Sequence, residues 1–208
     1  MTYKYKKEFN EALSTLLADK IITIPTDTYY GLACNALDEK IVHKLFKLKK
    51  RDINKPVPVL ISDENQLDKF NVDYNGLENL INCFWPGPLT LVLKTNYNFP
   101  EGVIKNDGYV GFRIPDLDFT RELIRTINKP LTGTSANISG LPETKDVSVI
   151  HNYFKKSNLG KITDISCGNK ILPSTVVKVD GDLIKLLREG SISKTLIESK
   201  LGENFRYE

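Results

Sequence analysis

Apolar residues recur at helical spacing in several stretches, with short apolar runs between them. Phe9, Leu13, Leu16 and Leu17 share one face of residues 5–20, which predicts an amphipathic helix. Ile21-Ile22-Thr23-Ile24 is strand-like and Pro25 stops it, so residues 25–32 read as a loop of hydroxyls followed by a turn. Ile41, Val42, Leu45 and Leu48 mark a second helix over about 38–50, and a Pro-bounded apolar run at 57–61 reads as a short buried strand. Ser62 is placed to cap a short helix through Phe70. A further helix over roughly 74–84 runs into the rigid turn Trp85-Pro86-Gly87-Pro88.

Strands are expected at 89–93 and 109–114, and Asp118 is placed to cap a helix to Ile127. Residues 130–135 read as a small-residue strand end that opens into Ala136-Asn137-Ile138-Ser139-Gly140. A helix near 146–156, a weak strand at 161–165 and a final helix over 193–201 follow. Residues 174–179 and 183–187 flank Asp180-Gly181-Asp182, a hairpin signal. With no repeat or linker interrupting this series, the expectation is one mixed α/β domain over residues 1–208.

Composition narrows the chemistry. A net charge of +3 does not demand a nucleic-acid partner, so any basic site must come from local clustering. No run of about 18 apolar residues predicts a membrane span, and residues 1–8 lack the apolar core of a signal peptide. Three scattered cysteines (Cys34, Cys83, Cys167) argue for a reducing cytosol and read as small buried residues. The two histidines, His43 and His151, both fall inside helical patterns, so a His triad or a His/Cys zinc site is hard to build. Any catalysis must lean on cations, hydroxyls and amides.

Candidate groups cluster where apolar runs end. Lys49, Lys50, Arg51 and Lys55 place four cations within seven residues, suited either to a polyanion or to the dipole of the preceding helix. Thr26-Asp27-Thr28 could hold a small polar ligand or form a local turn, with Thr28 the better candidate. Ser135 and Asn137 either offer neutral donors on a small-residue loop that a ligand can approach or belong to a plain turn after a strand. Arg113 stands in an otherwise apolar strand, where it must point out of the core or find an anion, and its fork suits a carboxylate, either a substrate's or a structural one. Ser174 opens a strand, and Arg188 ends the hairpin, where it could reach a phosphate or stand as an exposed strand-end arginine. Neither G-x-x-x-x-G-K-[ST] nor G-x-G-x-x-G is present, so a nucleotide would need a cradle assembled from separate loops.

Six segments occur in a fixed order: Pro25-Thr26-Asp27-Thr28-Tyr29-Tyr30-Gly31-Leu32, Leu48-Lys49-x-Arg51-x-x-x-Lys55-Pro56, Trp85-Pro86-Gly87-Pro88-Leu89-Thr90, Arg113-Ile114-Pro115, Thr134-Ser135-Ala136-Asn137-x-Ser139-Gly140 and Ser174-Thr175-Val176-Val177. Together they resemble the YrdC/TsaC family of L-threonylcarbamoyladenylate synthases over about residues 21–190. The resemblance implies a twisted mixed sheet with flanking helices and a basic concave face. It also implies formation of L-threonylcarbamoyl-AMP and pyrophosphate from L-threonine, bicarbonate or CO2, and ATP with Mg2+, in the cytoplasm. The product would pass to a separate tRNA threonylcarbamoyl transferase complex. Carried over by position, Lys49 and Arg51 are the catalytic candidates and contact ATP with Lys55, Ser135, Asn137 and Arg188, whereas Thr28, Arg113 and Ser174 hold threonine. Leu60 stands where some longer relatives have a histidine, Lys55 where asparagine is common, and the chain reads as the short form without their extra C-terminal domain. The competing readings are a module binding double-stranded RNA or tRNA, with weak RNA binding as a lesser form, and an enzyme forming carbamoyl-adenylate.

Overall fold

The structure is a computed structural model that describes residues 5–157, 159–201 and 206–207. In chain order its helices are α1 (Lys6–Leu17), α2 (Glu39–Lys49), α3 (Glu78–Phe84), α4 (Asp118–Ile127), α5 (Val147–Phe154) and α6 (Lys194–Glu198). Its strands are β1 (Ile22–Ile24), β2 (Gly31–Ala33), β3 (Val59–Leu60), β4 (Leu89–Lys94), β5 (Tyr109–Arg113), β6 (Leu131–Thr132), β7 (Thr134–Ser135), β8 (Thr175–Asp180), β9 (Leu183–Arg188) and β10 (Arg206–Tyr207). The result is a mixed α/β fold built on a twisted mixed sheet with flanking helices. Among the described residues no helix is long and apolar enough to cross a membrane.

The large sheet has seven strands in the order β10-β9-β8-β4-β5-β3-β6, parallel at β10/β9, β8/β4 and β5/β3 and antiparallel elsewhere. A small antiparallel sheet has the order β1-β2-β7. Alternation along β4 and β5 decides which side chains enter the core. Leu89, Leu91, Leu93, Val110 and Phe112 are buried in the main apolar cluster with Val177, while Thr90, Val92, Gly111 and Arg113 look the other way, into a cavity. A second cluster joins Phe9 and Leu16 of α1 to Phe119, Leu123 and Ile124 of α4, over β1 and Leu131.

Helix α2 shows how local sequence aims the site. The Asp38 side chain accepts the Ile41 N–H at 3.1 Å and starts the helix. Ile41, Val42, Leu45 and Phe46 bury its inner face. Lys50 then adopts the left-handed conformation, at φ 51°, and ends it. The turn sends three consecutive cations in different directions: Lys49 is buried, Lys50 faces solvent, and Arg51 enters the cavity.

Several expectations need correction. Residues 31–33 are a strand, not a turn, because Gly31 to Ala33 pair with β1 on one side and β7 on the other. Residues 62–70 form two short 3-10 turns instead of one helix: the Ser62 hydroxyl donates to Asp63 and Gln66, and no side chain caps either turn. Asp118 is the first helical residue, not the cap, and its carboxylate pairs with Arg121. Residues 161–165 make no ladder; the Thr163 N–H is taken by the Thr23 hydroxyl at 2.9 Å, leaving only an isolated Ile22–Lys161 bridge. Residues 130–135 are two strands in two different sheets. Cys83 is exposed where the sequence suggested burial, whereas Cys34 is buried and its thiol is pushed up to about 12 by that burial.

Gly133 is the joint between β6 and β7. Its N–H donates to the Pro58 carbonyl at 2.8 Å, and a Cβ there would lie 2.6 Å from Leu60 Cγ and Cδ2. Leu60 is buried and cannot swing clear. Gly133→Ala is therefore expected to destabilise the chain by about 1–3 kcal/mol. Urea unfolding measures the loss, and an unchanged midpoint would show that Leu60 yields.

Candidate active site

Facing residues of β4, β5, β8 and β9 form the floor of a cavity of about 730 Å3, and loops from the small sheet and from residues 51–58 wall it. The floor follows the sheet register. Thr90 lies opposite Val176, and Val176 opposite Arg188. Arg113 falls one step beyond the Leu91–Phe112 rung, so an arginine stands at each end of a four-strand row. The lining side chains include six cations (Arg51, Lys55, Lys105, Arg113, Lys178, Arg188) against two carboxylates, Asp107 and Glu143. Asp107 is 3.4 Å from Lys178, so the remaining field favours anions.

At one end, Arg113 meets the Thr26-Asp27-Thr28 loop. Its Nη2 donates to Asp27 Oδ1 at 2.6 Å, Nη1 and Nη2 reach Thr28 Oγ1 at 3.3 Å, and Nε donates to the Gly87 carbonyl at 3.1 Å. Asp27 Oδ1 also accepts the Asp116 N–H at 3.1 Å. Of the two partners the sequence left open for this arginine, the structural carboxylate is present, and the Trp85–Pro88 turn supplies a further acceptor. Thr28 and Arg113 both line the cavity.

At the other end, Arg188 Nε and Nη2 donate to the Ser174 carbonyl at 3.1 and 2.8 Å, and Nη2 reaches Ser174 Oγ at 3.0 Å. Gly190 allows this approach, since a Cβ there would fall 2.2 Å from the Pro173 carbonyl. Arg51 bends over its own loop, with Nε 2.7 Å from the Lys55 carbonyl and Nη2 3.3 Å from that of Pro56. Burial pulls all three guanidiniums below the usual arginine range. Arg188 adds to this by repelling both Arg51 and Arg113.

Lys49 and Asn137 stand apart from the other candidates. Neither is among the residues lining the cavity. Lys49 Nζ donates to the Ser135 carbonyl, to the Asn137 carbonyl at 2.8 Å and to Asn137 Oδ1 at 3.0 Å, while its own carbonyl accepts the Ser139 N–H at 2.8 Å. The residue is therefore sewn at both ends to the Ser135–Ser139 turn. Asn137 Oδ1 also accepts the Ser135 hydroxyl at 2.8 Å, and that serine does face the cavity. Direct contact of Lys49 with a phosphate, as its position in the motif suggested, would require breaking these bonds. Burial, followed by the Arg51 cation, pulls the Lys49 ammonium down to about 7, with Glu143 opposing.

Sequence reasoning overlooked Thr90, Lys105, Asp107, Glu143 and Lys178 as cavity residues. Lys178 carried a readable signal, since it shares a strand face with Ser174 and Val176 by alternation. Its ammonium sits 3.6 Å from the centre of the Tyr109 ring. Glu143, on a loop, carried none.

Lys49→Met supplies a reference that cannot titrate. In the folded chain Lys49 loses its proton near 7, against an ordinary value of 10.5. Between those values the unfolded chain holds the extra proton, so the native chain should gain stability over the variant as pH rises, by at most about 1.4 kcal/mol per pH unit. Urea unfolding of both chains at about pH 6, 7.5 and 9 reads this difference, and a flat one would contradict the lowered value.

The Sua5–YciO–YrdC family model, described as Telomere recombination, matches residues 14–190. A protein of Methanocaldococcus jannaschii is 38% identical over 187 residues, covering 90% of this chain and 87% of that protein. The threonylcarbamoyl-AMP synthase of Pyrococcus abyssi is 34% identical over 188 residues, covering 88% of this chain and 54% of the synthase. The crystal structure of P. abyssi Sua5 complexed with L-threonine superimposes with a TM-score of 0.88 at 31% identity, over 97% of this chain and 60% of that one. The chain thus spans most of the first relative and little more than half of the Pyrococcus protein. With the six motifs gathered in one fold and the family model covering most of its length, the chain belongs to the Sua5–YciO–YrdC family.

Proposed function

We propose that the chain forms L-threonylcarbamoyl-AMP and pyrophosphate from L-threonine, bicarbonate or CO2, and ATP. The observation that carries this reading is the convergence of Arg51, Arg113 and Arg188 on one cavity in which Arg188 repels the other two. A bound polyanion would relieve that repulsion. At about 730 Å3 the cavity falls in the usual range for small-molecule sites, and a structural relative of this chain holds L-threonine.

In this mechanism the neutral amine of threonine adds to CO2 and releases a proton to water, giving a carbamate, and a carbamate oxygen attacks the α-phosphorus as pyrophosphate leaves in line. Arg51, Lys55 and Arg188 would gather the triphosphate and stabilise the charge building on the leaving group. Threonine would sit on Thr28, Ser174 and the Nη1 side of Arg113, because Asp27 holds Nη2. Ser135 would stand beside the nucleotide on the turn that Lys49 and Asn137 hold rigid, so Lys49 serves the nucleotide by fixing that turn. Among the described residues no group of three or more His, Cys, Asp and Glu is placed to hold a metal, so Mg2+ would arrive on the phosphate oxygens. The product would go to a tRNA-modifying transferase in the cytoplasm. Cations gathered around one cavity, instead of along an exposed stripe, favour a small polyanion over duplex RNA.

Pyrophosphate release by the purified chain should require both threonine and bicarbonate; release indifferent to either would overturn the synthase reading. Arg51→Ala should lower turnover about 30- to 1000-fold, as for loss of one preorganised donor, with the unfolding curve unchanged. Near-normal turnover would remove Arg51 from the chemistry.

A further inference from the structure

Thr90 faces the cavity at the centre of the Arg113–Thr90–Val176–Arg188 row, and the mechanism above makes no use of it. Its side chain is buried, with Oγ1 3.0 Å from Ser174 Oγ, which in turn lies 3.0 Å from Arg188 Nη2. A guanidinium can only donate, so Ser174 Oγ accepts from Arg188. A hydroxyl has two lone pairs and one proton. If Thr90 donates into the second lone pair, the serine proton has nowhere to go except to an acceptor in the cavity.

We propose that Thr90 is a positioning residue that fixes the Ser174 hydroxyl as a donor to an anionic oxygen of the amino-acid substrate. The proposal rests on the synthase reading and adds a polarity to it. With both lone pairs filled, Ser174 meets a carboxylate or carbamate oxygen and not an ammonium group, which could only donate to it. The same hydroxyl touches Arg188, so seating the amino acid tightens the arginine that faces the nucleotide. The strand register builds this device. Parallel pairing of β4 with β8 sets Leu89 opposite Thr175 and brings Ser174 beside the β4 residue it bonds, while β9 returns Arg188 to the same row.

The test compares native chain, Thr90→Val and Thr90→Ser by calorimetric threonine binding and by threonine-dependent pyrophosphate release. Valine keeps the branched shape and removes the hydroxyl. Thr90→Val should weaken threonine binding and raise its KM about tenfold, with kcat changed less than about threefold, and Thr90→Ser should restore both. Native-like threonine affinity in Thr90→Val overturns the proposal, as does Thr90→Ser failing as badly as valine, which would trace the effect to disturbed packing at this position instead of to the hydroxyl. If Thr90→Val does not unfold cooperatively, Thr90→Cys takes its place, with weakened binding expected and native-like binding overturning the proposal. Absence of threonine binding by the native chain overturns the proposal and the synthase reading together. Normal native binding with no effect at Thr90 overturns the proposal alone.

Discussion

Main-chain carbonyls solvate the cations gathered at this site, and the rest of the site depends on that arrangement. Lys49 bonds the carbonyls of Ser135 and Asn137, Arg51 those of Lys55 and Pro56, and Arg188 that of Ser174. A carbonyl satisfies an N–H without cancelling its charge. At Arg51 and Arg188 the positive charge therefore stays uncancelled, ready for a ligand that brings its own negative charge. Arg113 is the exception, since Asp27 neutralises it in part. That pairing suits a position that would meet a single carboxylate instead of a triphosphate.

These bonds also explain why the cavity has so little regular structure at its rim. Each of the loops carrying Thr28, Arg51, Ser135 and Ser174 donates or accepts across to another element, so the loops brace one another. The Ala136 N–H donates to the Tyr30 carbonyl at 2.8 Å, and the Tyr30 hydroxyl to that of Ile165 at 2.6 Å. The core beneath supplies rigidity, and the loops supply chemistry at fixed positions.

Much of this was legible in the sequence where the signal is local. The α2 periodicity, the Asp118–Ile127 helix and the hairpin around Gly181 all depend on neighbours within a few residues, and each lies within a residue or so of its expected place. Strand β2 depends on distant partners, and its three residues carry no period that could announce it, whereas β3 and β6 fall within the apolar runs expected to be extended. The site divides in the same way. Residue types at strand ends pointed to Thr28, Arg51, Arg113, Ser135, Ser174 and Arg188, which now share one cavity. The inward turn of Lys49 was invisible, because its acceptors lie 86 and 88 residues away.

The left-handed residue at position 50 gives the basic loop its spelling. Because the chain reverses its sense there, the flanking cations diverge, one underground and one into the bowl, while the middle side chain is ejected to water. The middle position answers to backbone torsion alone, so glycine or asparagine would suit it at least as well as lysine. The outer pair, by contrast, must keep a spacing of one: deleting the pivot would swing the arginine toward the pocket that the lysine already fills.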